Sequence, residues 1–283
     1  MELPAALRQG VDRMLEGVPL PALRKAARTL SERYRAETRD GRLHMDSDMA
    51  AKAYLATRLP ATYAAVRAAL EAAAEARPDF SPKTLLDVGA GPGTMLWAAA
   101  DLWDGLEEAT LLEASDAARK TGETLAAEGM PAQARWLAGD ATLDLATMPP
   151  ADLVTVAYVL DELAPAALPK LLQRLWALTG GMLVVVEPGT PAGWQRILQA
   201  RAQLIEAGGH VAAPCPHQAS CPLAAPDWCH FSRRVARSRL HRLAKDAEVP
   251  WEDEKFSYLV VSRRPAAQDI SPPSRVLAPP RAG

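Results

Sequence analysis

The sequence predicts a doubly wound α/β sheet behind a helical N-terminal region, and three observations carry that expectation. From TLLDVG to GMLVVVEPG, short apolar β-type runs alternate with segments of helical period; a glycine turn, DVGAGPGT, follows the first run; and residues 1 to about 79 show no β-type alternation. Alternating β and α patterns build parallel sheets covered by helices on both faces, with ligands at the C-terminal ends of the strands.

In chain order, LPALRKAARTLSERYRAE and ATYAAVRAALEAAAEA repeat apolar residues at spacings of three and four, the period of a helix with one buried face. RPDFSPK breaks that pattern with Pro78 and Pro82. TLLDVG then begins the sheet, ATLLEAS, ARWLAGDA, ADLVTVAYVL and GMLVVVEPG continue it, and helices centre near residues 122, 171 and 199. KFSYLVVSR reads as a closing strand. The expected division is a helical region at 1–79, a sheet domain at 80–264 with an insertion at 209–232, and a Pro-rich linker-like tail at 265–283.

A chain with 49% hydrophobic and 23% charged residues and a net charge of -2 belongs to the ordinary globular class, and no apolar run reaches membrane-spanning length. The start, MELPAALRQGVDRMLEG, has early acids and no uninterrupted apolar stretch, which predicts a cytoplasmic protein without a leader. A reducing cytosol disfavours disulfides, and the 3 cysteines are an odd number, so a shared ligand explains them better than a bridge.

Gly89, Gly91 and Gly93 fall where the first strand turns into its helix, a position that brings backbone N–H groups and a helix N-terminus to a ligand. A dinucleotide fingerprint needs its third glycine at residue 94, which is threonine. The spacing instead resembles motif I of the class I S-adenosylmethionine-dependent methyltransferases, (D/E)xGxGxG, with Asp87 at its acidic position. That resemblance implies a Rossmann-like methyltransferase fold. It also implies that Glu113, ending the second strand, accepts the ribose hydroxyls and that Asp140, ending the third, reads the adenine amine. The plain alternative makes the glycines a tight turn and the acids helix caps.

The catalytic signal is thinner. After the fourth strand, AYVLDEL replaces the (N/D)PP(Y/F) element of enzymes that methylate exocyclic base nitrogens, and no cysteine lies near Tyr158 or Glu187 to serve as a ring-attacking nucleophile. Asp161, Glu162 and Glu187 stand as acids at strand ends, with helix capping the expected role of Glu162.

Cys215, Cys221 and Cys229 crowd into PCPHQASCPLAAPDWCH, a Pro-rich stretch after the fifth strand and its helix. Thiolates at that density predict a metal loop: zinc completed by His217, or an iron–sulfur cluster, which normally takes a fourth cysteine. The run CPHQASCPLAAPDWCHFSRRVARSRLHRLAK, with EDEKFSYLVVSR after it and VEPGTPAGW before, resembles the small-ribosomal-subunit assembly methyltransferases, whose mitochondrial members are called methyltransferase-like seventeen. That resemblance implies S-adenosylmethionine binding, association with the maturing small subunit and its RNA, and a 4Fe-4S cluster on Cys215, Cys221 and Cys229. The family's remaining cysteine lies nearer the C-terminus, where this chain has none. With only KFSYLVVSR available to close the sheet, the chain reads as one strand short, as though a segment carrying that strand and the fourth ligand were missing.

Residues 233–245, RRVARSRLHRLAK, hold five arginines and one lysine without an acid. Read as a helix, this places Arg233, Arg237 and His241 on one face and Arg234, Arg242 and Lys245 on another, an RNA-phosphate surface unless EDEK at 252–255 neutralises it. His44 and His230 read as packing or surface residues. Three functions fit: a ribosomal RNA methyltransferase, a non-catalytic RNA-binding assembly factor of the same fold, or a small-molecule methyltransferase with structural zinc.

Overall fold

A computed structural model describes residues 2–37, 40, 42–127 and 129–265. The tail expected at 265–283 lies almost wholly outside the described residues. Four helices come first: α1 (Ala5–Leu15), α2 (Leu20–Arg35), α3 (Asp48–Thr57) and α4 (Leu59–Ala76). The sheet region follows as β1 (Thr84–Val88), α5 (Thr94–Ala100), β2 (Glu108–Glu113), α6 (Asp116–Ala126), β3 (Gln133–Ala138), β4 (Ala151–Ala157), α7 (Leu168–Leu178), β5 (Thr179–Pro188) and α8 (Pro191–Glu206). It closes with β6 (His210–Ala213), β7 (Phe231–Ala236), α9 (Arg239–Lys245) and β8 (Trp251–Ser262).

The strand order is β3-β2-β1-β4-β5-β8-β6, with β7 also paired to β8. Strands β1 to β5 are mutually parallel, whereas β8 runs antiparallel to β5, β6 and β7. The sheet is therefore mixed, and it is not one strand short. His210–Ala213 supplies the edge strand, inside the stretch expected to be a metal loop. Only four residues long and ended by Pro214, which has no N–H to donate, it carries too little period-2 pattern to be read from sequence.

Alternation along the strands splits the core in two. In β5, Met182, Val184 and Val186 face the side packed by α1 to α6, while Leu183 and Val185 face α7 and α8. The N-terminal helices share the first of these cores, with Leu7, Leu23, Tyr63 and Leu70 fully buried beside Met95 and Leu111. Hydroxyl caps fix the helix starts that border the cleft: Ser47 for α3, Ser115 for α6, Thr190 for α8 and Ser238 for α9. Strand order reverses between β1 and β4, which puts a crevice at their C-terminal ends.

Candidate functional site

That crevice is a cavity of about 710 Å³, with the ends of β1, β2 and β4 as its floor and α2, the residues around Met45, and α9 as its walls. After β1 the chain turns through Gly89, Gly91 and Gly93 at φ +71°, +55° and +84°, the left-handed region where side chains are strained. Space imposes the same choice. A Cβ on Gly89 would sit 2.3 Å from Val159 Cγ2, and one on Gly93 would sit 2.8 Å from Trp136 Cζ2. Trp136 also donates its indole N–H to the Gly91 carbonyl at 3.2 Å, tying β3 to the turn.

Glu113 reaches from the end of β2 to this turn. Its Oε2 accepts the Gly91 N–H at 2.8 Å and its Oε1 accepts the Ser115 N–H at 2.7 Å. Burial raises its pKa, and the two backbone donors oppose the rise. It is not a helix cap, since Ser115 fills that role for α6. Asp87 is buried in β1, where Thr155 donates to its Oδ1 at 2.7 Å. Its Oδ2 has no hydrogen-bond partner among the described residues, and burial, reinforced by the Glu113 charge, pushes the carboxyl up to about 7. Asp140 lies two residues beyond β3 on the cavity rim, where its Oδ1 accepts the N–H and hydroxyl of Thr142.

The acids after β4 and β5 have separate roles. Glu187 is fully buried, ion-paired to Arg196 and accepting the Leu160 N–H at 3.3 Å, so it anchors the loop that follows β4. Burial, with the Asp161 charge, raises it to about 8. Glu162 lines the cavity, and burial together with Asp161 and Glu113 raises it to about 8 as well. Its carboxylate does not cap a helix as expected but faces His44, with Nε2 to Oε1 at 3.5 Å. His44 is buried and takes a hydrogen bond from Arg33 Nε on Nδ1 at 3.1 Å, which leaves its proton on Nε2 toward Glu162. Asp40 in turn holds Arg33 through two bonds of 2.9 and 2.8 Å.

Several cavity residues were invisible to sequence reasoning. Tyr158 has a left-handed φ of +57°, unusual for a large side chain, and donates its hydroxyl to Glu254 at 3.1 Å, where Arg58 also binds. Met45 reaches across from the N-terminal region: its carbonyl accepts the Ser115 hydroxyl, and its Cε lies 3.3 Å from where a Cβ on Gly91 would stand. The two hydrogen bonds join residues 70 and 96 positions apart, so no motif marks them.

Cys215, Cys221 and Cys229 are half-buried in the irregular segment between β6 and β7. Among the described residues no group of three or more His, Cys, Asp or Glu side chains is arranged to hold a metal ion, so the expected donor set is not assembled there. His217 instead packs on α8, where Arg201 donates to its carbonyl and approaches its Nδ1 at 3.4 Å. His230 stacks on Trp228.

The expected helix at 233–245 is not one element. Arg233 and Arg234 lie in β7, Arg237 follows it, and only 239–245 are helical. Arg234 is paired to Asp253 and Arg237 to Glu252, while His241 is buried rather than presented. Pairing with EDEK prevails here because β7 lies antiparallel beside those acids in β8, with Arg234 opposite Asp253.

The family model described as mitochondrial small ribosomal subunit Rsm22 matches residues 48–283. The human mitochondrial ribosome assembly protein METTL17 is 31% identical over 224 residues, 74% of this chain and 48% of that protein. The mitochondrial Rsm22-cox11 tandem protein 2 of Schizosaccharomyces pombe is 24% identical over 236 residues, 75% of this chain and 31% of that one. The chain thus spans about half or less of the length of these curated relatives. Their mitochondrial names overturn the cytoplasmic placement expected from the N-terminal sequence. A likeness of outline extends to magnesium protoporphyrin IX methyltransferase of Synechocystis with bound S-adenosylmethionine, 12% identical, covering 83% of this chain and 91% of that one at a TM-score of 0.47.

Proposed function

The chain belongs to the family described as mitochondrial small ribosomal subunit Rsm22, and on that premise we propose that it binds S-adenosylmethionine in the cleft and acts as a methyltransferase-like factor on small-subunit ribosomal RNA during assembly. The observation that carries the cofactor reading is the convergence of Asp87, the glycine turn and Glu113 on one cavity. The residues present suit such a ligand. Asp87 Oδ2 is a buried polar atom without a partner among the described residues, and each Glu113 oxygen has accepted one backbone N–H and keeps further acceptor capacity for a diol. Bound there, S-adenosylmethionine supplies an electrophilic methyl group.

Glu162 is the group placed to take a proton from an acceptor N–H or O–H. It lines the cavity, and a base works best when its pKa lies near the working pH. His44, fixed by Arg33, orients that carboxylate. A factor that binds cofactor and RNA without transfer is the second reading, favoured by the engagement of Tyr158 with Glu254 and of Glu187 with Arg196. Transfer of labelled methyl from S-adenosylmethionine to immature small subunits, lost in Glu162→Gln with cofactor affinity retained, supports the enzyme. No label in subunits exposed to wild-type protein that binds both ligands supports the second reading.

A metal on Cys215, Cys221 and Cys229 rests on their spacing in sequence and on the resemblance that goes with it, and no step is routed through it. Anaerobic iron, sulfide and zinc analysis tests it: labile sulfide favours a cluster, stoichiometric zinc favours a Cys3His site with His217, and metal-free protein removes both.

A further inference from the structure

We infer that the groove between α2 and α9, at the mouth of the cleft, is the surface that carries the phosphate backbone of unpaired RNA, and that the ion-paired arginines of the β7–β8 hairpin, Arg234 and Arg237, are not. This deepens the RNA reading above and rests on it. Arg24, Arg28 and Arg35 line the cavity from α2. Spacings of four and eleven residues bring them within about 40° of one another around the helix, so they form one stripe about 16 Å long. From α9, 215 residues later in the chain, Arg239 and Arg242 line a second groove of about 390 Å³ that Arg24 shares. Arg24 joins the two helices, donating to the Leu243 carbonyl at 2.7 Å and pairing with Asp246 at 2.9 Å.

What distinguishes this surface is unspent charge. Among the described residues Arg28, Arg35, Arg239 and Arg242 have no ion pair, and Arg35 donates only to the Ser31 carbonyl of its own helix. Asp246, already held by Arg24, and Glu248 are the acids lining the second groove. On the hairpin Arg234 meets Asp253 in a two-bond fork, and Arg237, joined by Lys245 of α9, converges on Glu252. A paired guanidinium releases few counterions from a nucleic acid, whereas an unpaired one contributes fully. The stripe also ends at the mouth of a cavity whose floor is the glycine turn. A nucleotide must leave a duplex for its base to enter a cleft of this kind, so the backbone on the rim belongs to an unpaired strand.

The test titrates a labelled, mixed-sequence single-stranded RNA oligonucleotide into the full chain at several salt concentrations. It compares the variant R28Q/R35Q/R239Q, and each single change within it, with R234Q, which removes a hairpin charge paired to Asp253. The triple groove variant should bind about tenfold or more weakly, with a log–log salt slope shallower by about 2, and R234Q should stay within about threefold of wild type. Thermal melts matched to wild type establish that the variants fold. A loss in R234Q equal to that of the single groove changes, or no loss in the triple groove variant, overturns the placement while leaving the RNA reading intact. Wild-type protein that does not bind the RNA, or binds polyglutamate as tightly, overturns both.

Discussion

Two irregular segments leave the sheet, one after β1 and one after β6, and each carries a motif dense in special residues. In the first, backbone bonds enforce the geometry: the N–H groups of Gly89 and Ala90 both reach the Leu112 carbonyl, at 2.8 and 3.2 Å, Gly93 N–H closes on Ala90, and Glu113 clamps Gly91. In the second, residues 214–230 have backbone turns at His217 to Cys215 and Asp227 to Ala224, and are tied to the rest of the fold by Arg201 donating to the His217 carbonyl, Trp228 donating to the Gly189 carbonyl and Ser257 donating to the Cys229 carbonyl. Spacing in sequence becomes spacing in space only where a hydrogen-bond ladder enforces it. The glycine motif converges into a cradle, while among the described residues the cysteine motif does not converge into a donor set.

The sharpest way to break this contrast is to overfill the first turn. Gly93→Val places branched carbons against Trp136 at a φ of +84°, and overpacking added to backbone strain should cost about 2 to 4 kcal/mol. Urea melts read that directly; a loss below about 0.5 kcal/mol, the scale of an ordinary surface change, would show that the turn is not rigid.

A second effect is electrostatic. Asp87, lifted from 3.8 to about 7, keeps a proton in the folded chain that the unfolded chain has already released. Its contribution to stability is therefore present below about pH 4 and is lost as the pH rises toward 7, with a slope of up to about 1.4 kcal/mol per unit. Asp87→Asn keeps an acceptor for Thr155 and cannot ionise, so the fall in stability between pH 5 and pH 7.5 should shrink. The same fall in wild type and variant would remove Asp87 as its source.

The smallest effect belongs to the other segment. In metal-free protein, changing Cys215, Cys221 and Cys229 together to Ser should cost about 1 kcal/mol or less and leave the cleft unaltered, because no ladder runs through them. A loss as large as that of Gly93→Val, in protein shown to lack metal, would erase the distinction between the segments.

The same physics explains what could be read in advance. The five parallel strands and the glycine turn announce themselves through local period and composition, and Asp87, Glu113 and Asp140 follow from strand ends. β6 stayed hidden because four residues before a proline carry no pattern, and the hairpin arginines were misread as helical because Arg233–Lys245 suits a helical period equally well until β8 supplies a partner. His44 and Met45 line the cleft, with Arg33 behind His44, only through tertiary folding, so nothing in their local sequence marks them.

The central claim is that the cleft over Gly89–Gly93 holds S-adenosylmethionine through Glu113. Calorimetric titration of the cofactor into wild type and Glu113→Gln tests it most directly. The amide keeps one accepting oxygen but replaces the other with a donor facing a backbone N–H or a ligand hydroxyl. Wild type should bind one equivalent and the variant about tenfold or more weakly, the equivalent of about 1.4 kcal/mol or more for a charge-assisted bond, while Glu162→Gln binds as wild type does. No binding to the wild-type chain, or equal affinity in Glu113→Gln, would contradict the account.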